Sequence, residues 1–123
     1  DAQSGYVFWR FRMGKGSISS PAIADDLLFF GCADGNIYAV DRTRAREAWR
    51  FKTDGQVCGS PVVHNGMVYC GSTDGKLYAV NSSNGRLRWS YSTAAGITGT
   101  PVIFEDTLVF GSLDCNLYAL DIS

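Results

Sequence analysis

The chain has one histidine, three prolines, four cysteines and no C-x-x-C pair in its 123 residues. A zinc site needs about four convergent nitrogen or sulfur ligands. Cys32, Cys58, Cys70, Cys115 and His64 do not supply such a set at metal-ligand spacing. The four cysteines also sit at four different positions of the repeat described below. They read as isolated, reduced, small apolar side chains rather than as a disulfide framework. An excess of charge of one sign is missing too. Eleven Lys and Arg against 12 Asp and Glu leave a formal charge of −1, which gives no electrostatic footprint for nucleic acid or an anionic membrane. No apolar run approaches the roughly 20 residues that span a bilayer. Asp1-Ala2-Gln3-Ser4-Gly5 has no basic segment followed by an apolar stretch, so no signal peptide is visible and no compartment is assigned. Helix-period segments are absent as well, which directs the reading to an all-β fold.

What the chain does have is a repeat. Trp9, Trp49 and Trp89 are 40 residues apart, and Pro21, Pro61 and Pro101 keep that interval without insertion or deletion. So do Gly31, Gly71 and Gly111, then Asp34, Asp74 and Asp114, then Tyr38-Ala39, Tyr78-Ala79 and Tyr118-Ala119. Self-similarity at this period marks units that bury their apolar surface only by stacking on a neighbour. Residues 1–123 therefore read as one propeller segment with repeat phases 1–40, 41–80 and 81–120.

Within the second unit, Gly59 to Val63 is a short β-rich run, and His64-Asn65-Gly66-Met67 is a two-residue type I′ hairpin signal. Met67 to Gly71 follows, then Thr73-Asp74-Gly75-Lys76, read as a second I′ turn, then Leu77 to Val80. After the polar turn Asn81 to Gly85, Arg86 to Tyr91 completes four strands. The runs Leu27 to Phe30 and Ile37 to Val40 are apolar on both faces, so both faces must be covered. The outer strand alternates Arg86, Arg88 and Ser90 with Leu87, Trp89 and Tyr91. A buried inner edge and a wetter outer edge, repeated, fit radially stacked four-stranded antiparallel blades, three to the chain.

Ala79-Val80-Asn81-Ser82-Ser83-Asn84-Gly85-Arg86-Leu87-Arg88-Trp89 resembles the tryptophan-docking motif A-x-D-x-x-T-G-x-x-x-W of the pyrroloquinoline-quinone-type (PQQ-like) repeats of the quinoprotein-dehydrogenase-like superfamily. Ala39 to Trp49 is similar, with Arg44-Ala45 in place of Thr-Gly, and Asp1 to Trp9 is similar from the Asp onward. The resemblance implies a β-propeller in which Trp9, Trp49 and Trp89 pack between blades. It also implies structural docking roles for Ala39, Ala79 and Ala119 and for Asp1, Asp41, Asn81 and Asp121. Two departures stand out: Ala45 replaces a glycine of the docking turn, and Cys115 replaces the glycine of the Asp-Gly turn.

The resemblance does not bring an active site. Quinoprotein dehydrogenases of this family carry their catalytic Asp, calcium ligands and cofactor clamps partly on insertions, and here no insertion and no adjacent Cys-Cys pair occurs. No cofactor, metal or catalytic residue is therefore assigned. Asp34, Asp74 and Asp114 suit the first position of an Asp-Gly turn, and the Asx residues Asp41, Asn81 and Asp121 suit local caps. Ser17, Ser19, Ser20 and Ser60 have no histidine at a matching phase, His64 lies on a hairpin tip, and Arg42, Arg44, Arg46 and Arg50 read as a solvated loop.

Strand order places Lys15, Asp34, Asp54, Gln56, Asp74, Thr93 and Asp114 around one mouth of the central channel, the face chosen for a protein or small-molecule partner. Relatives with few insertions, the sensor regions of bacterial Ser/Thr kinases and the lipoprotein assisting outer-membrane protein assembly, imply a non-catalytic binding scaffold. The alternatives are a minimal or engineered self-assembling repeat module and a segment of a quinone-dependent dehydrogenase. Propellers have about 4–8 blades, so three need completion. Three or four large apolar side chains bared on each open face would leave on the order of 10 kcal/mol of burial unrealised per face. The strand at residues 6–12 reads as the outer strand of the closing blade. The expected arrangement is a homodimer of six blades with exchanged strands, or the remaining blades of a longer chain.

Overall fold

The computed structural model describes residues 5–16 and 18–123. Asp1 and Ser17 lie outside the described residues. The described chain is all-β with no helix. The first blade is β1 (Ala22–Ala24), β2 (Leu27–Gly31), β3 (Asn36–Asp41) and β4 (Arg46–Lys52), antiparallel and in sequence order. The second repeats it with β5 (Val62–His64), β6 (Met67–Gly71), β7 (Lys76–Asn81) and β8 (Leu87–Ser92). The third holds β9 (Val102–Phe104), β10 (Thr107–Gly111) and β11 (Leu117–Asp121).

Local sequence explains each meander. Asn65 and Gly66 both have positive φ (49° and 77°), the type I′ geometry expected from Asn-Gly. The turn at Thr73-Asp74-Gly75-Lys76 is different from the I′ turn read from the sequence. Only Gly75 is left-handed (φ 91°), the Gly75 N–H donates to Ser72 O (3.1 Å), and the Ser72 N–H donates to Lys76 O (3.0 Å). That is a three-residue hairpin with a left-handed last residue. The Asp74 carboxylate accepts the Lys76 N–H (2.9 Å), which holds Asp74 out of the left-handed region. In the third blade Cys115 occupies the left-handed position (φ 75°) without glycine's freedom.

A bulge falls in the same place in both complete blades. Ala39 pairs with Trp49 but Val40 with Glu47, and Ala79 pairs with Trp89 but Val80 with Leu87. The extra residue, Ala48 or Arg88, bends the outer strand beside each tryptophan.

The first two blades are apolar on both faces because each face meets a different neighbour. Phe29, Ile37, Ala39 and Trp49 of the first blade pack against Val68, Cys70, Tyr78 and Val80 of the second. Tyr69, Leu77 and Ala79 of the second pack against Leu108 and Phe110 of the third. The remaining face of the first blade, with Phe30, Tyr38 and Val40, is covered by Trp9, Phe11 and Met13. Residues 6–12 form no strand in the single chain. The outer edge of β11 has no partner among the described residues, so the third blade has three strands rather than four.

Candidate functional site

β3 begins at Asn36 opposite Lys52, the end of β4, so the turn after β2 and the loop after β4 lie at one end of the blade. The same holds in the second blade, where Lys76 faces Ser92. This rim carries Lys15, Asp34, Asp54, Gln56, Asp74, Thr93 and Asp114, and adjacent blades are joined along it. The Asp54 N–H donates to Asp74 Oδ2 (3.1 Å), and the Ala94 N–H to Asp114 Oδ2 (3.3 Å). The Gln56 N–H donates to Thr73 Oγ1 (2.8 Å). Thr53 and Ser72 hydroxyls meet at 2.9 Å, as do those of Thr93 and Ser112. Thr93 also donates to backbone carbonyls, so its hydroxyl serves the blade junction.

The three in-phase carboxylates have the same partners. Oδ1 of Asp34, Asp74 and Asp114 accepts the N–H two residues on, each at 2.9 Å. Oδ2 accepts the hydroxyl of the tyrosine four residues on, Tyr38, Tyr78 or Tyr118. Burial pushes the Asp34 carboxyl up, but hydrogen bonds from Tyr38 and Asn36 outweigh it and leave the pKa below its ordinary value. The hydrogen bond from Tyr118 likewise lowers that of Asp114. Tyr38 is raised by burial and by Asp34, and Tyr118 by its bond to Asp114. The tyrosine half of this latch was not singled out from the sequence, although an Asp four residues before a Tyr in all three repeats is its signature. Lys15, Asp54 and Gln56 are the exposed side chains of the rim set.

At the opposite end, Asp41 Oδ1 accepts from the Thr43 N–H (2.9 Å), the Thr43 hydroxyl (2.8 Å) and the Arg44 N–H (3.0 Å). Asn81 Oδ1 accepts from the Ser83 N–H (2.9 Å), and Asp121 Oδ1 from the Ser123 N–H (2.9 Å). Trp49 Nε1–H donates to Ser82 O (2.9 Å), and Trp9 Nε1–H to Arg42 O (2.8 Å), the same 33-residue step. Trp89 is half-buried beside Tyr69, with ring centroids 5.9 Å apart. Ala39 and Ala79 are fully buried, whereas Ala119 is exposed. In the arginine run, Arg50 pairs with Glu47 (2.6 Å) and Arg42 approaches Asp26 (3.7 Å). All four cysteines are free; burial pushes the Cys70 thiol up to about 12.

These residues do not fit the quinone and calcium of the family's dehydrogenases. Each in-phase aspartate spends both oxygens on a backbone N–H and a tyrosine hydroxyl. Among the described residues, no group of three or more His, Cys, Asp or Glu is placed to hold a metal ion.

Comparison with known proteins gives the same architecture. BamB from Moraxella catarrhalis superposes with a TM-score of 0.88 at 22% identity, over 99% of this chain and 38% of that one. The computationally designed Ika4 protein superposes at 0.86 and 14% identity, over 100% of this chain and 77% of that one. Quinohemoprotein alcohol dehydrogenase ADHIIG from Pseudomonas putida HK5 gives 0.80 at 23% identity, over 90% of this chain and 20% of that one. At these identities the likeness is one of fold, and the chain spans well under half of BamB and of the dehydrogenase. No curated protein sequence matches it. The family model for outer membrane protein assembly factor BamB matches residues 1–123, so the in-phase tryptophans, prolines and Asp-Tyr latches belong to a PQQ-like β-propeller repeat chain of that family.

Proposed function

We propose that the chain is a non-catalytic β-propeller module, a scaffold that binds a protein or small ligand on one face of its disc in a sensor or assembly role. The observation that carries this reading is the fate of the rim carboxylates. Asp34, Asp74 and Asp114 are occupied by their turns and tyrosines, while Lys15, Asp54 and Gln56 present exposed polar ends on the same rim. A rim of this kind offers hydrogen bonds and charge to a partner but no poised nucleophile or base. The family description, an assembly factor for outer membrane proteins, supports a protein as the partner class. The bare face of the third blade calls for further blades, from a second copy or from a longer chain. The likeness to the designed Ika4 protein supports the second reading, a minimal repeat module whose activity is assembly.

The test is incubation with pyrroloquinoline quinone and calcium, followed by gel filtration and a visible spectrum. The scaffold reading expects no quinone absorbance with the protein and no dye-linked alcohol oxidation. Stoichiometric bound quinone would overturn it in favour of a dehydrogenase segment.

A further inference from the structure

We propose that Asn65 is a self-modification site, where the Gly66 nitrogen attacks the Asn65 carboxamide and water opens the resulting ring to a carboxylate. The fold protects the chain's other Asn-Gly pair, Asn84-Gly85, from the same reaction. The modification adds a slow, local change of charge to the end of the blades opposite the rim, and it is separate from the binding-scaffold reading.

The chemistry consumes only water. The Gly66 nitrogen bonds to Asn65 Cγ, the Cγ–Nδ2 bond breaks, and the amide proton leaves with Nδ2 as ammonia. Water then opens the cyclic imide at either carbonyl. Attack at Cγ gives an ordinary aspartate, while attack at the backbone carbonyl gives an isoaspartate whose main chain runs through the side chain. Both products carry one more negative charge. Glycine favours the ring closure because it has no Cβ to block the approach, and asparagine is among the chemically labile residues.

The fold treats the two pairs differently. Asn65 and Gly66 are the exposed tip of the β5–β6 hairpin, both left-handed at φ 49° and 77°. A methyl on Gly66 would meet nothing within 4 Å, so this side of the tip is open. Among the described residues the Gly66 N–H donates to no backbone carbonyl. The Asn65 carboxamide touches His64, whose Nε2 lies 3.2 Å from Nδ2, in proton-transfer reach of the nitrogen that departs. Gly66 O ties the tip to its blade by accepting the Ser82 N–H (2.9 Å).

At the second pair both reacting groups are engaged. Gly85 is buried, and its N–H donates to Asn81 O (2.8 Å). Asn84 Oδ1 accepts the Arg86 N–H (2.9 Å). A methyl on Gly85 would lie 2.5 Å from the Trp49 ring, so the turn cannot rotate without unpacking that tryptophan. Ring closure at Asn84 therefore requires local unfolding of the docking turn.

The aspartate product suits its place. Asp25 and Glu105 hold the same repeat phase, left-handed at φ 55° and 56°. An aspartate at position 65 repeats what the first and third blades already carry, and acids then occupy this phase in all three. An isoaspartate instead lengthens the main chain between the paired residues His64 and Met67 and loosens the hairpin.

The test incubates the intact folded chain at mildly alkaline pH, with timed samples digested by trypsin and read by mass spectrometry. Cleavage after Lys52, Lys76 and Arg86 puts Asn65 on peptide 53–76 and Asn84 on peptide 77–86. The mass gain of NH2 replaced by OH should appear at Asn65 at least about tenfold faster than at Asn84, which must first break its hydrogen bonds. Electron-transfer fragmentation should find both aspartate and isoaspartate at position 65. In urea, where neither turn persists, the two rates should converge. Equal rates in the folded chain would overturn the proposal, as would an Asn65 that converts in urea but not in the folded chain. A rate ratio in urea as large as in the folded chain would also overturn it, since the fold would then protect nothing. Asn65→Gln should abolish the gain on peptide 53–76, and a persisting gain would refute the assignment to Asn65.

Discussion

Replacing Trp49 with alanine removes the largest side chain of the interface between the first two blades. The indole is 8% exposed, lies 5.8 Å from Phe29 and donates its N–H to Ser82 O. A buried aromatic of this size removes about 150–250 Å² from water, which at about 25 cal/mol per Å² gives about 4–6 kcal/mol. Residual burial in the unfolded chain trims that by about 10–40%, to about 3–5 kcal/mol, the range seen for Trp→Ala in cores. The lost hydrogen bond adds about 1 kcal/mol or less, because Ser82 is only partly buried and its carbonyl can turn to water. The account therefore expects a loss of about 4 kcal/mol, a large part of a domain's about 5–15 kcal/mol. Urea unfolding followed by far-UV circular dichroism at one fixed protein concentration measures it. Should the variant not fold, Trp49→Phe keeps most of the area and should lose about 1–2 kcal/mol. Trp89→Ala should cost less than Trp49→Ala, since Trp89 is half-exposed. A loss below about 1 kcal/mol for Trp49→Ala would refute the reasoning that the tryptophans carry the blade stack.

Gly85→Ala should destabilise by about 1–3 kcal/mol, because its φ is 72° and the new methyl would lie 2.5 Å from the Trp49 ring. Ala45→Gly should be neutral or stabilising by up to about 1 kcal/mol, since Ala45 holds φ 55°; thermal unfolding of both variants checks the pair. The Asp-Tyr latches set a pH window. The lowered Asp34 and Asp114 contribute stability present above the ordinary carboxylate value of 3.8 and lost as pH falls through their folded values. The raised Tyr38 and Tyr118 contribute stability present below 10.0 and lost as pH rises through theirs. Tyr38→Phe should lower stability at neutral pH by about 1.5–3 kcal/mol, the loss of a hydrogen bond to a charged acceptor, and flatten the alkaline limb; an unchanged alkaline limb would remove Tyr38 from the explanation.

The sequence carried the stack more fully than the rim. Unbroken phase among Trp49, Pro61, Gly71 and Tyr78-Ala79 identifies the blade, and strands apolar on both sides, such as Ile37 to Val40, announce that two neighbours cover them. The turn at Thr73 to Gly75 was misread because Asp-Gly dipeptides serve both two-residue and three-residue hairpins. Which one forms depends on Asp74 capturing the Lys76 N–H, a contact that dipeptide statistics do not contain. The latch to Tyr78 stayed hidden because Tyr78 also reads as a core residue, and only the fold shows that its buried ring ends in a hydroxyl at the rim. The segment from Tyr6 to Arg12 was read as a strand and forms none in the single chain, where Trp9 and Phe11 pack on the face of the first blade instead of pairing with a strand edge.

The most direct measurement of the blade stack is amide hydrogen exchange along β3, β7 and β11. The Ile37 and Ala39 N–H groups face β4, and their equivalents in the third blade are those of Leu117 and Ala119. The stack predicts slow exchange at Ile37 and Ala39, which face β4, and faster exchange at Leu117 and Ala119, whose edge has no partner among the described residues. Exchange of Ile37 and Ala39 within seconds, no slower than Leu117 and Ala119, would contradict it.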